Sequence, residues 1–217
     1  MKLHALALPL LPLALLAAPA CKSSDKGAST GATITKAADQ IQRGIEQLDA
    51  TVAALHDLVE KPAPDLKPQQ KAYEKALASL ESTAESLSKT AASMDTRGQA
   101  YFAEWDTQLA AIQNEDIRER SADRKKSIEA SFSKLQKQYG EARDAFRPLL
   151  DNLRDVRTAL KADLTLAGID TLKPVVKKVD KEKGSVEKEL KEVGEQFREL
   201  GVDLSRSGPP AEGEARK

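Results

Sequence analysis

The sequence holds one cysteine and two histidines in 217 residues, and it contains no Gly-rich phosphate-binding loop. With one cysteine, no disulfide can form within the chain, so packing must hold any core together. One histidine, His4, lies in the N-terminal segment that resembles a signal peptide, which leaves His56 alone. No Glu-x-x-His pair is present to build a carboxylate-bridged metal centre. We therefore expect no metal, no cofactor and no enzymatic activity.

Charge of neither sign dominates, because 34 basic residues balance 34 acidic ones. A chain that binds nucleic acid through its phosphates normally carries a basic excess on one face. We expect no nucleic-acid partner and no electrostatic steering of an acidic substrate.

Long apolar runs are also lacking, except for a short one near the N-terminus. Leu6 to Leu16 form a stretch shorter than the roughly 20 residues that a membrane-spanning helix needs. Lys2 precedes this stretch, and the small residues Ala18-Pro19-Ala20 follow it as a processing site would. Residues 1–20 are therefore predicted to be a signal peptide.

The only cysteine, Cys21, directly follows this processing site. Its position predicts a bacterial lipoprotein, in which the thiol carries the lipid and residues 21–33 form a flexible polar tether. The alternative is ordinary cleavage after Ala20, which would leave a free thiol. Because Lys22 rather than an acidic residue follows the cysteine, we expect a lipid anchor at the periplasmic face of the outer membrane.

Aromatic residues make up only 4% of the chain, whereas charged residues make up 31%, a composition typical of long amphipathic helices. Apolar residues recur at alternating three- and four-residue spacing in four segments. The segments begin at Ile34, Tyr73, Ile117 and Leu172. This pattern predicts an all-α, antiparallel four-helix bundle domain over residues 34–200.

Polar residues in front of the apolar stripes predict where helices begin. Asp65, Asn114 and Thr171 are placed to cap the second, third and fourth helices. Gly201 is expected to end the fourth helix. Residues 201–217, which contain two prolines, are expected to form a disordered tail.

Size complementarity predicts the register of the second and third helices. If they fold back around Asn114, residues whose numbers add up to about 230 face one another, and small side chains meet large ones. Gly98 then faces Phe132, and Ala84 faces Phe146. Beyond the first and fourth helices, the second and third are expected to continue alone as a two-helix prong.

The prong carries the predicted partner-contact residues. They are Tyr101, Phe102, Trp105, Arg118 and Arg124. Aromatic and arginine side chains dominate interface energetics, so this cluster is a candidate anchor for an unknown envelope protein. The alternative is that Trp105 packs in the seam under a cation–π contact from Arg124. The charged run Glu115–Lys126 either touches an anionic surface or is a solvated helix face with local ion pairs.

Several of these residues also carry a family resemblance. The segment Tyr101-Phe102-Ala103-Glu104-Trp105, then Leu109, Arg118, Ser121, Tyr139 and the step Arg147-Pro148-Leu149-Leu150, resembles the bacterial lipoprotein family catalogued as domain of unknown function 2959. The resemblance covers about residues 34 to 200 and implies an envelope location and a helical fold. It implies no activity. Ala162-Asp163-Leu164-Thr165 stands where the family would have His-Asn-Leu-Asn.

Two functions fit the sequence. The first is a non-catalytic envelope lipoprotein that acts as a helical interaction or spacer module. The alternative is a periplasmic carrier or chaperone that opens its helices around a lipid or an unfolded chain. Repeated pairing of small with large residues favours the first, because a carrier needs a cavity.

Overall fold

The computed structural model describes residues 22–206, in which five α-helices and no strand occur. The helices are α1 (Lys22–Glu60), α2 (Lys67–Ala111), α3 (Glu115–Ala162), α4 (Leu166–Asp170) and α5 (Lys173–Arg206). The predicted all-α class is therefore confirmed for this part of the chain. The predicted signal peptide, Cys21 and residues 207–217 of the predicted tail lie outside the described residues.

The four long helices form a ring in which each packs against two neighbours. Helix α1 packs against α2 and α5, and α3 packs against the same two helices from the other side. Consecutive long helices are antiparallel, as α1 and α2 illustrate: Lys26 near the start of α1 pairs with Glu104 late in α2, and Gln69 early in α2 contacts Asp57 late in α1. The short α4 lies in the turn between α3 and α5.

Helix α1 begins at Lys22 rather than at Ile34, so the prediction of a flexible tether is wrong for residues 22–33. This segment lacks the large apolar side chains that mark an amphipathic helix. It packs instead through small residues, because Gly31 lies against the backbone of Gly201 and Thr30 is fully buried. A search for apolar periodicity does not detect such backbone-to-backbone packing.

Helix α5 continues past Gly201 to Arg206, so the predicted helix end at Gly201 is also wrong. A side chain at position 201 would collide with Thr35 and with the carbonyl oxygen of Gly31. Glycine is needed there for the close approach of α1 and not for a turn. Leu204, beyond it, is fully buried and extends the core.

The predicted helix caps have mixed outcomes. Asn114 caps α3 as predicted, since its side chain accepts a hydrogen bond from the Ile117 amide at 3.1 Å. Asp65 accepts from the Lys67 amide at 3.0 Å, although Leu66 occupies the cap position of α2. Thr171 does not cap α5. It ends α4, where its hydroxyl donates to the Gly168 carbonyl at 2.6 Å.

The buried apolar residues form two clusters along the bundle. One lies towards the connection between α2 and α3, which we call the hairpin end, and includes Ile34, Phe132 and Phe197. The other lies towards the α1–α2 connection and α4, which we call the opposite end, and includes Tyr73 and Leu153. Tyr73 is fully buried there, and its hydroxyl donates to the Leu153 carbonyl at 2.6 Å.

The two-helix prong is much shorter than predicted, because α1 and α5 are both longer. Helix α1 follows α2 as far as the 3.1 Å ion pair between Lys26 and Glu104. Helix α5 follows α3 at least as far as Asp203, which lines the same surface groove as Ser131 of α3. Beyond these contacts α1 still continues back to Lys22 and α5 on to Arg206, so α2 and α3 extend alone for only a short distance.

Candidate functional site at the hairpin end

Tyr101 and Phe102 are neighbours on α2, yet both are buried, with exposed fractions of 3% and 7%. Tyr101 faces α1, where Gly27 leaves room for its ring. Phe102 faces α3 and meets the ring of Phe132 edge-on, with centroids 5.7 Å apart. The interpretation of these two residues as partner contacts is therefore wrong. It treated the prong as having one apolar seam, whereas the extended α1 supplies a second one.

Trp105 is half-buried at the edge of this aromatic cluster. Its ring centroid lies 5.4 Å from that of Tyr101, and its indole N–H donates to the Ser121 hydroxyl at 3.1 Å. Burial raises the pKa of Tyr101, and the positive charge of Arg124 opposes that rise. Arg124 therefore lies close to the cluster. A cation–π contact between Arg124 and Trp105 stays a prediction.

Lys125 joins α2 to α3 beside the aromatic rings, although the sequence did not single it out. Its ammonium group donates to the Asp106 carboxylate at 2.9 Å and lies 6.0 Å from the centre of the Phe102 ring. The Asp106 carboxylate and that of Glu129 raise the pKa of Lys125. A lysine in an alternating charged run gives no sign that it will be the one that packs inward.

Arg118 closes the hairpin. One of its guanidinium nitrogens donates to the Ile112 carbonyl at 3.3 Å, and another contacts Glu115 at 3.4 Å. It thus satisfies a carbonyl just past the end of α2, where the helix leaves carbonyls without intrahelical partners. Next to it, Ile117 is 57% exposed. Arg118, Ile117 and the connection itself therefore form the exposed surface of this end.

The segment Gly27-Ala28-Ser29-Thr30-Gly31 matches the Gly-x-Ser-x-Gly spacing of a hydrolase nucleophile turn. That motif works at a sharp turn between a strand and a helix, which exposes the serine. Here the segment lies within helix α1, and the Ser29 hydroxyl accepts a hydrogen bond from Arg97 of α2. Its glycines serve helix packing, so the match indicates no nucleophile.

A cavity of about 70 Å³ separates the two apolar clusters, and residues of all four long helices line it. Gly44 of α1, Ala84 and Leu87 of α2, Phe146 of α3 and Leu190 of α5 are among them. The predicted packing of small against large residues is tight at Gly98 and Phe132, where a side chain at position 98 would overlap the ring. It is incomplete beside Ala84 and Phe146.

Two polar clusters join helices near the opposite end. His56 of α1 lies 2.7 Å from the Asp180 carboxylate of α5 and 2.9 Å from that of Glu60, and these contacts raise its pKa. Glu81 of α2 accepts hydrogen bonds from Arg157 and Arg154 of α3, which lower its pKa. His56 and Glu81 are thus both held in bridges between helices.

Within residues 22–206, no three histidine, cysteine or acidic side chains are grouped so that they could hold a metal ion. The same residues include no helix long and apolar enough to cross a membrane.

The described residues thus define an all-α helical bundle whose polar clusters link one helix to another. A family model described as "Protein of unknown function (DUF2959)" matches residues 26–199. Because the match covers most of the chain, the chain belongs to that family, which confirms the resemblance to domain of unknown function 2959. No curated protein and no solved structure matches this chain.

Proposed function

We propose that this protein is a non-catalytic helical spacer and interaction module that a lipid on Cys21 anchors to the bacterial cell envelope. The observation that carries the proposal is that α1 to α5 form one continuous bundle around two apolar clusters. Its longest helix, α3, has 48 residues, which at about 1.5 Å per residue extend over about 70 Å. An anchored rod of this length can hold a binding surface away from a membrane.

Three ionisable groups with shifted pKa values support a structural role. Shifted groups often mark active sites, but ion pairs that link helices produce the same shifts. His56, Glu81 and Lys125 each bridge two helices, and every one of them has its partners within the chain. These three groups therefore serve to hold the helices of the bundle together.

The anchor is tested by Cys21→Ser. The wild-type chain should incorporate a palmitate analogue and sediment with membranes, whereas Cys21→Ser should do neither, because a hydroxyl cannot form the thioether. The matched control is the double variant Cys21→Ser with Ser24→Cys, which places a thiol three residues further along the chain. It should not restore labelling, since the processing site determines which residue is modified. If the wild-type chain does not incorporate the palmitate analogue, the proposed lipid anchor is contradicted.

The cavity favours a second candidate, a carrier of apolar ligands. Its volume of about 70 Å³ is about half that of an engineered cavity of about 150 Å³ that accepts benzene. A lipid would therefore enter only if the helices separated. An apolar dye added to the purified bundle tests this candidate: saturable binding supports a carrier, and its absence supports the spacer.

A further inference from the structure

The first turns of α1 are held against α2. Lys26 pairs with Glu104 at 3.1 Å, and Gly27 packs against the Tyr101 ring. One turn later, the hydroxyl of Thr30 donates to the Arg97 carbonyl at 3.4 Å. The segment that follows Cys21 in the sequence is thus docked on the bundle.

A second helix holds the same segment from the other side. A side chain at position 31 would lie only 2.6 Å from the Gly201 carbonyl oxygen, and one at position 201 would lie 3.0 Å from the Gly31 carbonyl oxygen. Only glycine at both positions allows this approach of α1 to α5. The orientation of the start of α1 is therefore coupled to that of the whole bundle.

Axial distances place the start of α1 at the hairpin end. From Lys26 back to Lys22, α1 rises about 6 Å, and from Glu104 on to Ala111, α2 rises about 10 Å in the same direction, at about 1.5 Å per residue. The end of α2 thus projects only about 4 Å beyond the start of α1, and the connection of residues 112–114 follows directly after it. Cys21 directly precedes the start of α1, so a membrane that held its lipid would meet the hairpin end.

The hairpin end has a suitable surface for such a contact. Ile117 is exposed near the start of α3, and two further apolar residues of this end, Leu109 and Ile112, are half-buried. Charged side chains of both signs surround this apolar tip, among them Glu115 and Arg118. An apolar tip with a charged rim fits the boundary between lipid headgroups and acyl chains. Because the charges are mixed, the contact does not depend on anionic lipids.

We propose that the hairpin end rests on the phospholipid headgroups of the membrane that holds the Cys21 lipid, so that Ile117 contacts the bilayer. This inference rests on the lipid anchor of the proposed function. It also assigns the partner-facing role to the opposite end, where Leu166 is 61% exposed at the turn between α3 and α5. The bundle then stands upright, with that end about 70 Å from the bilayer along α3.

The test compares two exposed apolar residues at the two ends. Ile117→Cys and Leu166→Cys are each labelled with an environment-sensitive dye in the acylated chain, whose Cys21 thiol the lipid occupies. The chains are placed on vesicles of phosphatidylethanolamine and phosphatidylglycerol that contain a quencher attached to the lipid headgroup. Quenching should be at least about twofold stronger at position 117 than at position 166, since only the tip reaches the bilayer.

Equal quenching at both positions, or stronger quenching at 166, would overturn the proposal and leave the tip free for a protein partner. Flotation of the same vesicles separates this failure from that of the anchor. A chain that does not float lacks the lipid, which contradicts the proposed function. A chain that floats without preferential quenching at 117 contradicts only the orientation.

A second variant tests whether the docked α1 sets the orientation. Gly31→Leu should push α1 away from Gly201 and reduce quenching at 117 to the level of 166, while flotation is unchanged. Gly184→Leu is the matched control on α5, because position 184 has open space around it. It should keep the wild-type difference. Full quenching at 117 in Gly31→Leu would overturn the role of the docked helix.

Discussion

His56 lies between two carboxylate groups, and both of its ring nitrogens are used. Nε2 is 2.7 Å from Asp180 of α5, and Nδ1 is 2.9 Å from Glu60 of α1. Carboxylates accept hydrogen bonds, so both contacts require N–H donors, and only the imidazolium has two. The geometry and the raised pKa agree: the folded chain favours the protonated ring.

The protonated state of His56 predicts a pH dependence of stability. Its folded pKa lies above the unfolded value of about 6.5, so the stabilisation is complete below that value and is lost as pH rises through the folded pKa. Chemical denaturation of wild type and His56→Gln should differ by about 0.5–1 kcal/mol near pH 6 and by less near pH 9. Asp180→Asn should weaken the same dependence. A difference that grows with pH would contradict the bridge.

At the scale of whole helices, the fit between α2 and α3 depends on Gly98. This residue is buried in the middle of α2, where glycine otherwise disfavours a helix by roughly 0.5–1 kcal/mol relative to alanine. The ring of Phe132 occupies the space that a Cβ atom would fill. Phe132 is itself buried against Phe102 and has little room to retreat.

The same substitution at two glycines should therefore have opposite effects. Gly98→Ala should lower the free energy of unfolding by about 1–3 kcal/mol, because the ring must move. Gly184→Ala, on α5 with open space around it, should raise it by roughly 0.5–1 kcal/mol through helix propensity. Thermal or urea denaturation measures both. Gly98→Ala as stable as wild type would show that α2 and α3 are not in this register.

The sequence predicts α2 and α3 well because large apolar residues recur along them and the small ones mark the facing positions. The register around Gly98 and Phe132 follows from that pattern and is confirmed. The first turns of α1 could not be predicted this way. Gly27 and Gly31 bury backbone rather than side chains, and apolar periodicity contains no signal for such packing.

The errors at the candidate site follow from that one omission. With α1 predicted to begin at Ile34, α3 is the only helix left to cover both Tyr101 and Phe102, which leads to their interpretation as partner contacts. The helix in fact begins at Lys22 and covers Tyr101. The contacts of Arg118 and Lys125 could not be predicted for a different reason. They depend on which side of α3 faces α2 near the turn, and a run of alternating charges does not indicate that side.

For the molecule as a whole, the two apolar clusters share Leu190, which packs against both. The cavity lies at this junction, and α1, α2, α3 and α5 all border it. Missing contacts around a cavity weaken the packing on every side of it. Filling the cavity should therefore affect the two candidate functions differently. A rigid spacer becomes more stable when the junction is filled, whereas a carrier requires an open cavity.

Ala84→Leu distinguishes the spacer from the carrier, because the larger side chain extends from α2 into the cavity of about 70 Å³. Filling it should raise the free energy of unfolding by about 0.5–2 kcal/mol. Ala76→Leu is the control, because position 76 lies on α2 outside the residues that line the cavity, and it should change stability by less. A spacer should keep its function in cells when Ala84 is replaced. Loss of function in a variant that is more stable and still attached to membranes would favour the carrier, because only ligand entry requires the open junction.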